Sequence, residues 1–437
     1  MKLKFLSIAA LISMGALFST PTSAQDTPLS AKASDPVKMG WMVGSPPPAD
    51  KTIKFLDGSY FTFPQTRWSF SHFREFVPTK NISRGNGKPS KLKPRFDKNI
   101  DALTFFPQGS EEPMSWEESL AANYTDSILV MHKGKIIYEK YLGVTTSEKP
   151  HMSFSVTKSY FGTMVAMLAH EGKVDTSKLI THYIPELKNS GFGDATVQQL
   201  MDMTVGIEFI EDYADPEADI YKFAYAGGFF PVAHDYTGPR NFYDYLVTVK
   251  KKGEHGEKFE YQSVDTEILG WLIKRVTGES AEQMLSERIW KKLGTEHDAY
   301  ILVDSIGTGF AAGGLNTTLR DHARFGEMMR NDGRYNGQQI VPKAVVDDIR
   351  KGASQSHFEY AKYHSKKGYS YHNQWWISHN ENGAFTASGI HGQTIYIDPA
   401  AKMVIVRFAS HPVATNRHID ATSLPAYQAV ADYLMKK

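Results

Sequence analysis

Residues 153–173 read SFSVTKSYFGTMVAMLAHEGK, and this stretch limits the fold more than any other. Val156, Tyr160, Phe161, Met164, Val165 and Leu168 recur at helical spacing. Gly172 is placed to end the helix. A helix this apolar belongs in a core, so the chain must build layers around it. Yet Ser155 stands at its start and Lys158 follows one turn later. Residues three apart share a helix face, so the two side chains meet. Two readings are open. Ser155 could cap the helix while Lys158 reaches for solvent. Alternatively, Lys158 is desolvated, its pKa falls, and it takes the proton of a serine nucleophile at a helix N-terminus.

The flanking segments say what surrounds this helix. DSILVMHKGKIIYEKYLG contains two β-rich runs about His132-Lys133-Gly134-Lys135 and predicts a hairpin. GQTIYIDPAAKMVIVRFAS predicts a second hairpin, turning at Asp398 to Lys402. VDTEILGWLIKRVTG and AEQMLSERIWKKLG read as helices, and residues 174–250 as helical and loop-rich. LPAYQAVADYLMKK reads as a closing helix with Pro425 in its first turn. The order hairpin, helices, hairpin predicts an α+β fold: an antiparallel sheet assembled from both ends of the chain. Residues 25–115 are rich in Pro, Gly, Lys and aromatics, and predict an extended arm anchored by TRWSFSHFREFVP.

Composition narrows the function. The chain has 437 residues, 49 basic against 48 acidic, so nucleic acid is not an expected partner. It has no cysteine, which excludes disulfides, thiolate metal sites and a cysteine nucleophile. Its 16 histidines are scattered, without H-E-x-x-H, and no metal or other cofactor is expected. No G-x-S-x-G occurs. Residues 1–24 have a cationic start, an apolar run and small residues before Gln25, the layout of a cleaved export signal. The mature protein is therefore expected to be exported, in a bacterium to the periplasm, without a membrane span.

Two further features accompany Ser155-Val-Thr-Lys158. Tyr261-Gln262-Ser263 precedes a helix, and a tyrosine beside a lysine can relay a proton. Gly389-Ile390-His391-Gly392 opens a strand, where backbone N–H groups can approach a ligand. A second S-x-x-K, Ser90 to Lys93, lies between prolines in the arm and is read as chance. In this order the three features resemble the serine β-lactamase and penicillin-binding-protein superfamily, from about Trp116 to the end. TRWSFSHFREFVP, SVTKS, IEDYADP, FEYQSVDTEILGWLIKRVTG, QWW and GIHGQTIYIDP together resemble its nylon-oligomer branch, the 6-aminohexanoate-dimer hydrolases.

The resemblance implies a β-lactamase/DD-peptidase-like fold of class C type over residues 116–437, with a helical insert at about 174–250. It implies a small-molecule amide or ester as substrate. Ser155 then resembles the acylated nucleophile, Lys158 its base and Tyr261 the proton relay. Ser263 and Tyr213 resemble substrate-contacting residues, and the Ser155 and Ile390 N–H groups an oxyanion hole. The chain also departs from the superfamily. Ala387-Ser388-Gly389 stands in place of K-T-G, and no S-D-N occurs. His391 is near in sequence and is a candidate for substrate binding, but it is not a permanent charge. Without that fixed cation, β-lactam turnover is expected to be weak or absent. Asp212, Asp215, Glu217 and Asp219 surround Tyr213 and are candidates to meet an ammonium end of a substrate.

Overall fold

The structure is a computed structural model and describes residues 27–359, 361 and 363–437. The expected export segment lies outside the described residues. Eight strands form the main sheet: β1 (Lys93–Pro94), β2 (Thr125–His132), β3 (Lys135–Tyr141), β4 (Ser370–His372), β5 (Trp375–Ile377), β6 (Phe385–Gly389), β7 (Gln393–Asp398) and β8 (Met403–Ala409). In space they run β4-β5-β6-β7-β8-β2-β3-β1. Both expected hairpins form, β2–β3 and β7–β8, and they join where β8 pairs antiparallel with β2. Only β1 runs parallel to its neighbour.

Strand periodicity sorts the core into two layers. Leu129, Met131, Ile395, Ile397, Val404 and Val406 join the core that contains α1 (Val156–His170), α2 (Ser263–Thr277) and α3 (Leu319–Arg330). Their sequence neighbours Ile128, Val130, Tyr396, Met403 and Ile405 turn to the other face. There they meet Tyr427, Val430 and Leu434 of α4 (Arg417–Met435), with Trp116. The central helix α1 is buried from Val156 to Leu168, as its apolar run demands. Gly172, just beyond its end, has φ +70°.

The structure differs from the sequence reading at three places. Helix α4 begins at Arg417, so Pro425 lies inside it. Pro425 has no N–H for the Ala421 carbonyl, but the Gln108 N–H reaches that carbonyl at 2.7 Å. A contact distant in sequence therefore offsets what would otherwise break the helix. The helix expected at AEQMLSERIWKKLG holds a π-helical turn at Ser286–Trp290. Residues 27–115 also carry short regular pieces. Thr79–Ile82 pairs with Ala299–Leu302, at the edge of a small second sheet that includes His151–Met152. Phe70 and Phe73 of TRWSFSHFREFVP are buried in the main core. Ser90 donates to the Gly294 carbonyl and Lys93 lies in β1, so that S-x-x-K forms no helical pair.

No helix among the described residues is long and apolar enough to cross a membrane. No cluster of metal-ligating side chains occurs among them either.

Candidate active site

Ser155 is the N-cap residue of α1, but its hydroxyl caps nothing. The Lys158 Nζ donates to Ser155 Oγ at 2.8 Å and to the Ala312 carbonyl at 2.6 Å. Lys158 is only 1% exposed and Ser155 8%. Burial pulls the Lys158 pKa down to about 8, and the Glu211 and Glu267 carboxylates keep it from falling further. The solvent-seeking lysine is therefore excluded by geometry. Phe154, just before the serine, has φ +45°, a strained conformation for a bulky residue. Phe61, Phe70 and Phe73 pack edge-on against its ring and hold it there.

Tyr261 comes from the segment before α2, and the Lys158 Nζ lies 5.1 Å from its ring centroid. Trp376 stacks on Tyr261 at 5.6 Å, and Tyr371 meets it edge-on. Burial, reinforced by Tyr371 and Glu211, pushes the phenol well above its usual pKa, and the Ser155 hydroxyl partly opposes that rise. The Tyr261 phenol is thus neutral at rest, whereas Lys158 lies close to titrating. The Q-W-W stretch supplies the mount. Ser159 of α1 donates to the Gln374 carbonyl, Trp375 donates to Thr163, and Trp376 carries Tyr261.

Strand β6 ends beside the start of α1. A Cβ on Gly389 would lie 2.7 Å from the Ser153 carbonyl oxygen and 3.0 Å from the Ser155 nitrogen. Only glycine allows the approach that brings Ile390 to Ser155. Among the described residues, neither the Ser155 nor the Ile390 N–H has an acceptor. Asn416 clamps this segment: its amide donates to Ser388 Oγ and the Gly389 carbonyl, and its oxygen accepts from the Gly392 N–H.

A cavity of about 90 Å³ opens at Ser155, lined also by Tyr213, Ser263 and Ile390. A larger hollow of about 350 Å³, around Glu327 and Arg334, shares no residue with it. His391 must be corrected as a candidate. Its ring is packed among Phe61, Phe70 and Phe154, Nδ1 meets the His411 carbonyl, and burial lowers its pKa to about 4. Its φ of +60° turns the chain so that Ile390, not His391, lines the cavity.

The acidic cluster is also reassigned. Asp212, Asp215 and Asp219 accept local backbone N–H groups, and Asp212, Asp215 and Glu217 are exposed. The carboxylate behind the cavity wall is Glu211. It accepts from the Tyr213 hydroxyl at 2.6 Å, the Ser263 N–H at 2.7 Å and the Ser263 hydroxyl at 2.9 Å. Glu267 was equally unforeseen. It accepts from the Ala312 N–H, whose own carbonyl takes Lys158, and burial raises its pKa to about 8. An acid inside the otherwise apolar run EILGWLI was the available signal.

Known proteins resemble this chain over most of its length. Residues 117–427 match the Beta-lactamase family. The chain is 34% identical over 358 residues to a 6-aminohexanoate-dimer hydrolase of Paenarthrobacter ureafaciens, covering 81% of this chain and 88% of the relative. A Bacillus anthracis structure, provisionally named a 6-aminohexanoate-dimer hydrolase, superposes with a TM-score of 0.81 at 35% identity, covering 89% of this chain and 99% of that one. A class C beta-lactamase solved with cefoxitin shares the fold alone, with a TM-score of 0.51 at 17% identity over 72% of this chain and 95% of that one. The antiparallel sheet, the central helix and these likenesses lead to one assignment: the chain belongs to the beta-lactamase family of hydrolases.

Proposed function

We propose that this protein is an exported serine hydrolase that cleaves a small amide or ester through an acyl-enzyme on Ser155. The observation that carries the reading is the buried Lys158 Nζ, 2.8 Å from Ser155 Oγ, with a pKa near 8. Neutral Lys158 takes the Ser155 proton as Oγ attacks the substrate carbonyl carbon. The developing oxyanion accepts from the Ser155 and Ile390 N–H groups, both of which lack another acceptor among the described residues. The leaving amine or alcohol departs with a proton donated by Tyr261, which Lys158 then replaces. Water attacks the ester carbonyl, gives its proton back through the same pair, and frees Ser155 with the carboxylic acid.

Likeness to the Paenarthrobacter ureafaciens hydrolase supports linear amides as substrates, and esters pass through the same acyl-enzyme. No lysine lies at the K-T-G position, so nitrocefin is expected to be a poorer substrate than p-nitrophenyl esters. Incubation with a fluorophosphonate should add mass at Ser155, and Ser155→Ala should lose hydrolysis while keeping its fold. An active Ser155→Ala enzyme would refute the reading. Export is carried by the first residues of the sequence. N-terminal sequencing of periplasmic protein should begin at or near Gln25, and recovery of the full-length chain in the cytoplasm would overturn it.

A further inference from the structure

We infer that the cavity at Ser155 selects an uncharged, apolar acyl group, and that the N-terminal segment supplies part of its wall. This rests on the acyl-transfer reading of Ser155. The cavity is partly enclosed and touches Ser155 itself. The acyl portion stays bonded to Ser155 after the leaving group departs, so the closed side of the site is fitted to hold it.

Its wall includes Phe61, Phe154, Ile220, Phe230, Phe310 and Ile390, and among the described residues no Asp, Glu, Lys, Arg or His lines it. The hydroxyls on the wall are already committed. Tyr60 donates to the Phe229 carbonyl, Tyr213 and Ser263 donate to Glu211, and Tyr221 donates to the Tyr213 carbonyl. Glu211 stands behind the wall and already accepts three bonds from it. A charged acyl end would lose its water here and find no charged or uncommitted partner on the wall, a heavy penalty. An alkyl or aryl chain would find aromatic faces on several sides.

Tyr60 and Phe61 belong to the segment before the first hairpin. They are anchored by the Tyr60 bond to Phe229 and by packing of Phe61 on Phe154 and Phe230. Acyl selection is thus expected to depend on residues about 90 positions upstream of the nucleophile.

The test compares p-nitrophenyl hexanoate with p-nitrophenyl 6-aminohexanoate at pH 7, each corrected for its spontaneous rate. The leaving group is the same and the acyl chains differ only in a terminal ammonium. Hexanoate should be cleaved with kcat/KM at least about 100-fold higher. Equal rates, or a preference for the aminohexanoyl ester, would overturn the inference while leaving Ser155 chemistry intact. Loss of both activities in the wild type, or their survival in Ser155→Ala, would instead remove the acyl-transfer reading and this inference with it. Phe230→Glu should reduce the hexanoate preference at least about tenfold. Should that variant not fold, Phe230→Ala should erode the preference for hexanoate over acetate. An unchanged preference in a folded variant would show that the cavity does not hold the acyl chain.

Discussion

The base role proposed for Lys158 rests on what surrounds it, and those surroundings are testable. In that role its neutral form is the active one, so activity should rise with pH as the ammonium is lost. With the Lys158 pKa near 8, kcat/KM for a neutral ester should climb between pH 6 and 9 with an apparent pKa near 8. Glu267 titrates in the same range and acts on Lys158, so the limb belongs to the pair. Glu267→Gln keeps an acceptor for the Ala312 N–H but removes the charge that favours the ammonium. Its rising limb should move to lower pH, and a flat profile in the wild type would remove Lys158 from the base role. Ser155 and Lys158 were legible in the sequence because helix geometry alone brings residues three apart together. Glu211 and Glu267 were not, because they reach the site from other elements.

At the scale of elements, the site depends on how closely β6 approaches the start of α1. Gly389→Ala would place a methyl group against backbone at Ser153 and Ser155, and backbone cannot swing aside as a side chain can. Displacement of the Ile390 N–H by about 1 Å should cost roughly 100-fold in kcat/KM. The measurement is kcat/KM beside a thermal melt, and near-wild-type activity would refute Ile390 as an oxyanion donor. The sequence exposed both hairpins and the central helix, since each carries its own periodicity. It misplaced the start of α4, because the partner that tolerates Pro425 is Gln108, far away in the chain. It also put His391 near the substrate. A residue's side in a turn depends on its φ, and the motif does not specify that angle.

Across the whole molecule, the N-terminal segment completes what the later residues begin. Arg67 pairs with Asp126 at 3.0 Å, and Asp126 also accepts from Ser410 and meets His151 Nε2. The Arg67 and Asp126 side chains are buried, so Asp126→Ala leaves a cation without its partner. It should cost roughly 3–5 kcal/mol in urea unfolding. A loss below about 1 kcal/mol would mean that the segment docks through its aromatics alone. By itself the sequence determined the central helix, the two hairpins and the pairing of Ser155 with Lys158. These follow from local periodicity and short-range geometry, which one chain segment contains in full. Tertiary structure decided the rest: the lowered pKa of Lys158, the strained Phe154 held by upstream aromatics, the clamp of Asn416 on the Ile390 segment, and the uncharged wall of the cavity. Burial, and the partners a group finds across it, are properties of packed elements, and no single segment contains them.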